Sequence, residues 1–410
     1  MDENYIRKCI WLNCVCGHSP LLIDKCLSFI GTVEEIYGGN VNEDKLKAIL
    51  RHRFGAYKTR DLSEADEIIE YCKAKGIRIV HMTDDEYPDL LRRIDVPPHI
   101  LYMKGENFNI NDYLCFTIVG MRRASKDGTE FTEQLSNGIA KEGVLVVSGM
   151  AAGLDAAAHM GALKAGQRTV AVLAGGVDVI YPAKNKYIYY EILKRGMVIS
   201  ERPPEQVGKP YFYQERNRIL AGISTGTLIV EGNQKSGTSI TAKYAQEYNR
   251  DIFAVPGKPT DEKAYVPNSL IRDGAITTLS ADDIIYEYSS VYGEYLDNGV
   301  AALIDENPDL FKEYEDEYGY DIEKVPKANK AKKDKEEDKA KNRAKPDFDK
   351  YTNKEKIILE YLYSFDVPVH IDEIIRATKL NVSEVNSIML MLQIKGAVQQ
   401  SAGNLYSLKI

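Results

Sequence analysis

Residues 144–159 read VLVVSGMAAGLDAAAH, and the architecture of the chain is decided there. Val144–Val147 is an apolar, β-branched run, the pattern of a strand covered on both faces. Gly149 and Gly153 then let the backbone turn tightly and approach a ligand where a Cβ would obstruct. An alanine-rich helix is predicted from about Asp155. Its first N–H groups and partial positive charge suit an anionic oxygen. Glycine-rich β–α turns are common, and this spacing is not the GxGxxG dinucleotide fingerprint, so the neighbouring segments must decide what the turn is for.

Working outward, the same alternation repeats. Phe116–Val119, Thr169–Leu173, Met197–Ser200, Thr227–Glu231 and Ile252–Val255 read as strands. Helical segments ending near Lys141, or spanning Asn185–Arg195, Phe212–Ile223 and Thr238–Tyr248, separate them. This predicts an α/β domain over 81–290, an extended Rossmann-like, mainly parallel sheet with helices on both faces. Residues 1–80 read as a helical domain of SAM or helix-hairpin-helix type. Its predicted helices are Tyr5–Val15, Leu21–Ile30, Asp44–Phe54 and Ser63–Lys75, followed by a strand at Ile77–His81. Residues 291–350 read as an acidic, then mixed-charge linker, with Lys324–Lys345 holding almost nothing to bury. Residues 351–410 predict a small winged-helix-like domain: helices at Lys354–Tyr363, Ile371–Thr378 and Val382–Ile394, then a hairpin about Gly403. Ser383–Ile394 takes the recognition-helix position, but it is apolar and nearly uncharged, which suits a protein contact better than DNA.

The composition is that of a soluble globular protein: 410 residues, 44% hydrophobic, 28% charged, net charge −8. That charge excludes a generally basic coat while leaving room for a local basic groove. No apolar run approaches the ~18 residues that span a bilayer, and the N-terminus lacks a signal peptide's apolar centre, so a cytoplasmic protein without membrane contact is expected. Six cysteines make no disulfide scaffold. Cys9, Cys14, Cys16 and Cys26 cluster near His18, but their spacing fits no zinc pattern, so reduced thiols and no metal are expected.

In a parallel α/β sheet, ligands bind beyond the carboxyl ends of the strands. There the sequence places Gly120 and Arg122, Ser148 and Gly149, Gly153, Gly175 and Gly176, Tyr181, and Lys235, Ser236, Gly237 and Thr238. Glycines, hydroxyls and cations with few general bases suit phosphate oxygens, so no catalytic residue is assigned. A second constellation, Tyr211–Arg218, sets the aromatics Tyr211, Phe212 and Tyr213 beside Arg216, Asn217 and Arg218, the combination that holds single-stranded nucleic acid, with Phe212, Arg216, Asn217 and Arg218 as the expected contacts. The competing reading puts Phe212 in the core and one of the arginines in an internal ion pair. Glu231 is expected to accept backbone N–H groups or to pair with Arg216 or Arg218, since a bare carboxylate would repel a phosphate.

The ordered strings VGMRR, SGMAAGLDAAAH, LAGGVDVIYPAKN, ISERPP, FYQERNRILAGIS, VEGNQKSGTSITAKYA, FAVPGKP and NSLIRDGA resemble the DNA-processing protein A (DprA/Smf) family. The resemblance implies a protein that binds single-stranded DNA, forms a homodimer and loads the RecA recombinase during uptake of transforming DNA, with no cofactor. It adds Lys184 and Asn185 to the expected DNA-binding residues. Met121 stands where the family carries Ser, which removes one hydroxyl contact. Gly232 and Val266-Pro267 are further local departures. The rival is a nucleoside-monophosphate phosphoribohydrolase-like enzyme with a PGGxGTxxE run; here Thr241 occupies the position of its catalytic glutamate.

Overall fold

The computed structural model describes residues 2–297 apart from Lys235, and within 351–409 the segments 351–363, 369–370, 397–401 and 405–409 with isolated residues between them. One compact unit is built on Met1–Glu287, and a second includes Ile304–Ile410. The linker expected over 291–350 lies outside the described residues beyond Asp297; before that point, 291–297 continue a helix.

The first unit begins with six helices: α1 (Glu3–Val15), α2 (Pro20–Phe29), α3 (Val33–Gly38), α4 (Glu43–Leu50), α5 (Phe54–Thr59) and α6 (Ser63–Ala74). The single helix expected over 44–54 is broken, because Arg51 leaves the helical region at φ 54°. Sequence reading passed over α3, which a capping box between Thr32 and Glu35 starts and the left-handed Gly39 ends. Trp11 is the centre of this helical layer, edge-on to Tyr37 at 5.0 Å and tilted against Tyr57 at 6.2 Å.

Next come β1 (Arg78–His81), α7 (Asp89–Arg92), β2 (Ile100–Gly105), β3 (Cys115–Val119), α8 (Lys126–Lys141), β4 (Leu145–Ser148), α9 (Leu154–Lys164), β5 (Thr169–Val172), α10 (Lys186–Arg195) and β6 (Met197–Ser200). Then follow α11 (Pro210–Ile223), β7 (Gly226–Ile229), α12 (Thr238–Glu247), β8 (Asp251–Ala254), α13 (Tyr265–Arg272), β9 (Ile276–Thr277) and α14 (Ala281–Asp297). Among the described residues the strands form one sheet in the order β1-β2-β6-β5-β4-β3-β7-β8-β9. From β6 to β9 every pairing is parallel; β1 and β2 join antiparallel at one edge, with Tyr102 opposite Ser200. The sheet thus crosses the expected boundary at residue 80. Each residue of β3, β4, β5, β6 and β7 is buried, as strands covered on both faces must be. Helices α8, α9 and α10 pack in one layer, α7, α11 and α12 in another.

His159 on α9 is fully buried, with Nδ1 2.8 Å from the Thr169 hydroxyl. That hydroxyl donates to the Val146 carbonyl, so the ring donates from Nδ1. Burial drives its pKa from 6.5 down to about 3. A group with a depressed folded pKa supports the fold above its unfolded pKa and loses that support as pH falls toward the folded value. We expect the thermal midpoint to fall between pH 6.5 and 4, and His159→Gln to flatten that slope. An unchanged slope in the folded variant would remove His159 as its source.

In the second unit a helix over Asn353–Tyr363 buries Ile358, Leu359 and Leu362 against Val369, Ile374, Val385, Met389, Leu392 and Tyr406. Strands β10 (Val369–His370), β11 (Val398–Ser401) and β12 (Leu405–Leu408) form a small sheet in the order β10-β12-β11. The expected hairpin is present, with its turn at Gly403 outside the described residues. The third strand, β10, was not anticipated. Within the expected recognition helix the described residues Val385, Ile388, Met389 and Met391–Gln393 are helical.

Candidate functional site

After β3 the chain moves through β4, β5 and β6 on one side, then returns to β7 on the other. The loops that follow β3 and β7 therefore part, and a crevice opens beyond their carboxyl ends. It is a groove of about 740 Å³. Gly120–Arg123 form one wall and Asn233–Thr241 the other, Lys235 lying outside the described residues; Tyr213, Arg216 and Asn217 of α11 form the floor together with Asp155.

Arg122 is exposed at the mouth with its guanidinium carbon 4.9 Å from the centre of the Tyr213 ring. The exposed Tyr181 ring lies 6.1 Å from Tyr213, so a cation and two aromatic faces stand together. Opposite them α12 begins. Ser236 Oγ accepts the Thr238 N–H at 3.3 Å and the Thr238 hydroxyl at 2.8 Å, and Asn217 Nδ2 donates to the Gly237 carbonyl at 3.4 Å. The amino end of a ten-residue helix, with its positive dipole, thus borders the groove.

Below the surface lies a pair of buried charges. Arg216 donates through Nη1 to the Gly149 carbonyl at 2.7 Å and to the Val172 carbonyl, and through Nε to Asn217 Oδ1 at 3.2 Å. Burial lowers its pKa, and Asp155 opposes that shift. The Asp155 carboxyl is raised above its ordinary value, chiefly by burial, against Arg216 and the N–H groups of Ala151 and Gly120. Asp155 is thereby committed to the turn below the groove.

Several glycines expected to meet a ligand are packed closely against the framework. A Cβ on Gly149 would stand 2.3 Å from the Arg216 guanidinium; on Gly153, 2.3 Å from the Met121 carbonyl; on Gly120, 2.2 Å from Leu154. Gly175 and Gly176 are covered by the 203–208 loop: their Cβ positions lie 2.7 Å from the Gln206 carbonyl and 2.6 Å from the Pro203 carbonyl. Ser148 is fully buried and donates its hydroxyl to the Ile118 carbonyl at 2.7 Å. Asn185 is buried and holds the β4–α9 loop through the Met150 and Ala151 carbonyls. Phe212 lies in the core beneath Arg202, 4.1 Å from the ring centre. Arg218 is buried against Glu201 and the Val96 carbonyl, which makes it the arginine of the internal ion pair. Lys184 is exposed, away from the groove lining.

Tyr213, which the sequence offers as one of three neighbouring aromatics, and Arg123, in the turn after β3, line the groove although neither is among the expected contacts. Helical spacing carried the signal: Phe212, Arg216 and Ile219 share the buried face, so Tyr213 and Asn217, one position on, turn to the groove. Glu231 does accept a backbone N–H, that of Ser125 at 3.0 Å, and also its hydroxyl. It thereby ties β7 to the start of α8, and neither Arg216 nor Arg218 is its partner.

Residues 78–289 match the family model described as DNA recombination-mediator protein A, and residues 342–404 match that of the DprA winged helix domain. The chain is 32% identical to Protein Smf of Synechocystis sp. across 83% of this chain and 82% of that one. It is 37% identical to DNA processing protein DprA of Bacillus subtilis across 52% of this chain and 72% of that one. The X-ray structure of DNA processing protein A from Streptococcus pneumoniae superimposes with a TM-score of 0.59 at 30% identity, covering 68% of this chain and 97% of that one.

Proposed function

Because the chain belongs to the DNA recombination-mediator protein A (DprA/Smf) family, we propose that its groove holds single-stranded DNA by the backbone, with little regard for sequence. The observation that carries this reading is Arg122 lying over Tyr213 at the mouth, with the amino end of α12 facing them. A strand needs cations along its phosphates and flat faces for its bases, and this groove offers both. Among the described residues the groove has no helix or ribbon that projects to read a base edge, which favours the backbone as the ligand. Arg122, Ser236, Gly237 and Thr238 are its contacts in this reading; Gly120, Ser148, Gly149, Gly153 and Asn185 shape it from beneath. Family membership supports the finer steps: a cytoplasmic homodimer that protects incoming DNA and passes it to the RecA recombinase, without catalysis or cofactor. The apolar recognition-position helix of the last domain favours a protein partner for that module.

Gel-shift titrations of the full chain against single-stranded and duplex DNA over a salt series test the reading. Affinity should favour the single strand and fall with salt, each phosphate contact adding about 0.7 to the log–log slope. Arg122→Ala should lower that slope by about this amount, equally for all sequences. Tyr213→Ala should weaken binding by about 1–3 kcal/mol per stacked base. A Cβ on Gly237 meets nothing within 4 Å, and its φ is −65°, so Gly237→Val should keep the fold while filling the groove. Equal or tighter binding to duplex would sink the proposal. Release of base from AMP, followed chromatographically and abolished by Asp155→Asn, would favour the phosphoribohydrolase reading.

A further inference from the structure

We propose that Cys9, His81 and His99 form a structural site for a zinc-class divalent cation, which fastens the amino-terminal helices to the edge of the sheet. The three residues come from α1, from the end of β1 and from the approach to β2, and all are buried. One ligand atom from each lies within 4.8 Å of the other two. The Nε2 atoms of His81 and His99 face each other at 3.0 Å. Only one proton fits between them, so one ring donates and the other accepts, and both Nε2 atoms are directed at one shared position. Zinc bonds of about 2.0–2.3 Å to nitrogen and sulfur need only small side-chain movements here.

The surroundings fit the same chemistry. His81 Nδ1 lies 2.9 Å from the Thr83 hydroxyl and 3.2 Å from the Thr83 N–H. The Thr83 N–H donates to Nδ1, so in the metal-free protein the ring's proton stands on Nε2 between the two rings; the cation takes that place as Nδ1 becomes the donor to the Thr83 hydroxyl, the supporting bond of a ligating histidine. His99 Nδ1 is buried without a hydrogen-bond partner among the described residues. Hydrogen bonding between the rings therefore leaves that nitrogen unsatisfied in either tautomer, and the ring's conventional satisfaction is incomplete. Tyr5 packs edge-on to His81 at 5.2 Å, closing a further side. A cleft lined by Ile6, Ile79, Asp84, Asp85 and Glu86 opens beside Asp84, which accepts the His81 backbone N–H, so carboxylates flank the approach. A thiolate with two imidazoles selects zinc over magnesium or calcium, and binding releases the Cys9 thiol proton. The cysteine spacing that excluded zinc fingers did not bear on this site, because two of its ligands are histidines from distant segments. The nearby Cys14, His18 and Glu64 group is the less suitable one, since Arg202 and Arg53 stand beside His18.

The test uses the full-length protein after chelation, titrated with Co2+ and then with Zn2+. One Co2+ per chain with a thiolate-to-cobalt charge-transfer band is expected, and Zn2+ should raise the Tm. Cys9→Ala and His99→Gln should each abolish the band and weaken Zn2+ binding by at least about 100-fold, beyond what loss of a supporting partner causes. Cys14→Ser should change neither. Absence of a thiolate band in the wild-type protein overturns the proposal, and so does a band that persists in folded Cys9→Ala. Should that variant fail to fold, the wild-type chain decides: Zn2+ should protect Cys9 from iodoacetamide in mild denaturant, read by mass spectrometry, and equal labelling with and without Zn2+ overturns the site.

Discussion

Arg216→Met should destabilise the first unit by about 2–5 kcal/mol, since two buried carbonyls lose their donor at about 1–3 kcal/mol each. Methionine fills much of the volume but donates nothing. The Gly149 and Val172 carbonyls would lose their charged donor, and Asp155 would keep a buried carboxylate without its counter-charge. Denaturant unfolding measures the loss. Adding Asp155→Asn to Arg216→Met should recover about 0.5–3 kcal/mol, because the stranded charge is then gone. A loss below about 1 kcal/mol, or no coupling between the two changes, would mean that the pair does not hold this turn. Weaker DNA binding by Arg216→Met at temperatures where it remains folded would show that the pair also shapes the groove.

The second large effect is expected at Gly153. Its φ of +82° with ψ of −126° lies where a side chain is strained by roughly 1–3 kcal/mol. The space is also closed, for a Cβ would stand 2.3 Å from the Met121 carbonyl and 2.8 Å from that of Arg122. Both are backbone atoms, and Leu154 N–H donates to the same Met121 carbonyl at 3.3 Å. Gly153→Ala must therefore push the turn after β3 outward, and Arg122 with it. We expect a lower Tm and a loss of single-strand affinity exceeding that of Arg122→Ala. Gly237→Ala, in open space at an ordinary φ, is the control that should leave stability near its starting value. Normal affinity in a folded Gly153→Ala would show that the turn adapts without moving its arginine.

The stretch at 144–159 was legible because its signals are local. Four consecutive apolar residues need cover on both faces, and two glycines and an alanine-rich run follow within one turn and one helix. The same reasoning applies to β5, β6 and β7, and the order of the motifs was enough to place the chain in its family. Other features depended on pairings that no local window contains. Ile100–Gly105 carries no local mark of a sheet strand next to β6; its place comes from antiparallel pairing with a segment almost a hundred residues on. Gly175 and Gly176 stood at a strand end, as binding glycines would, but a loop thirty residues on packs over them. Arg122, Arg216 and Arg218 were equivalent cations in the sequence. The fold exposes the first over Tyr213, buries the second on two carbonyls beside Asp155, and pairs the third with Glu201. Secondary structure follows from the short-range periodicity of side chains, whereas the environment of a charge depends on which distant segments exclude water from it. The sequence alone determined the class of fold and the family; the tertiary structure decided which arginine stands exposed at the groove and which two are buried.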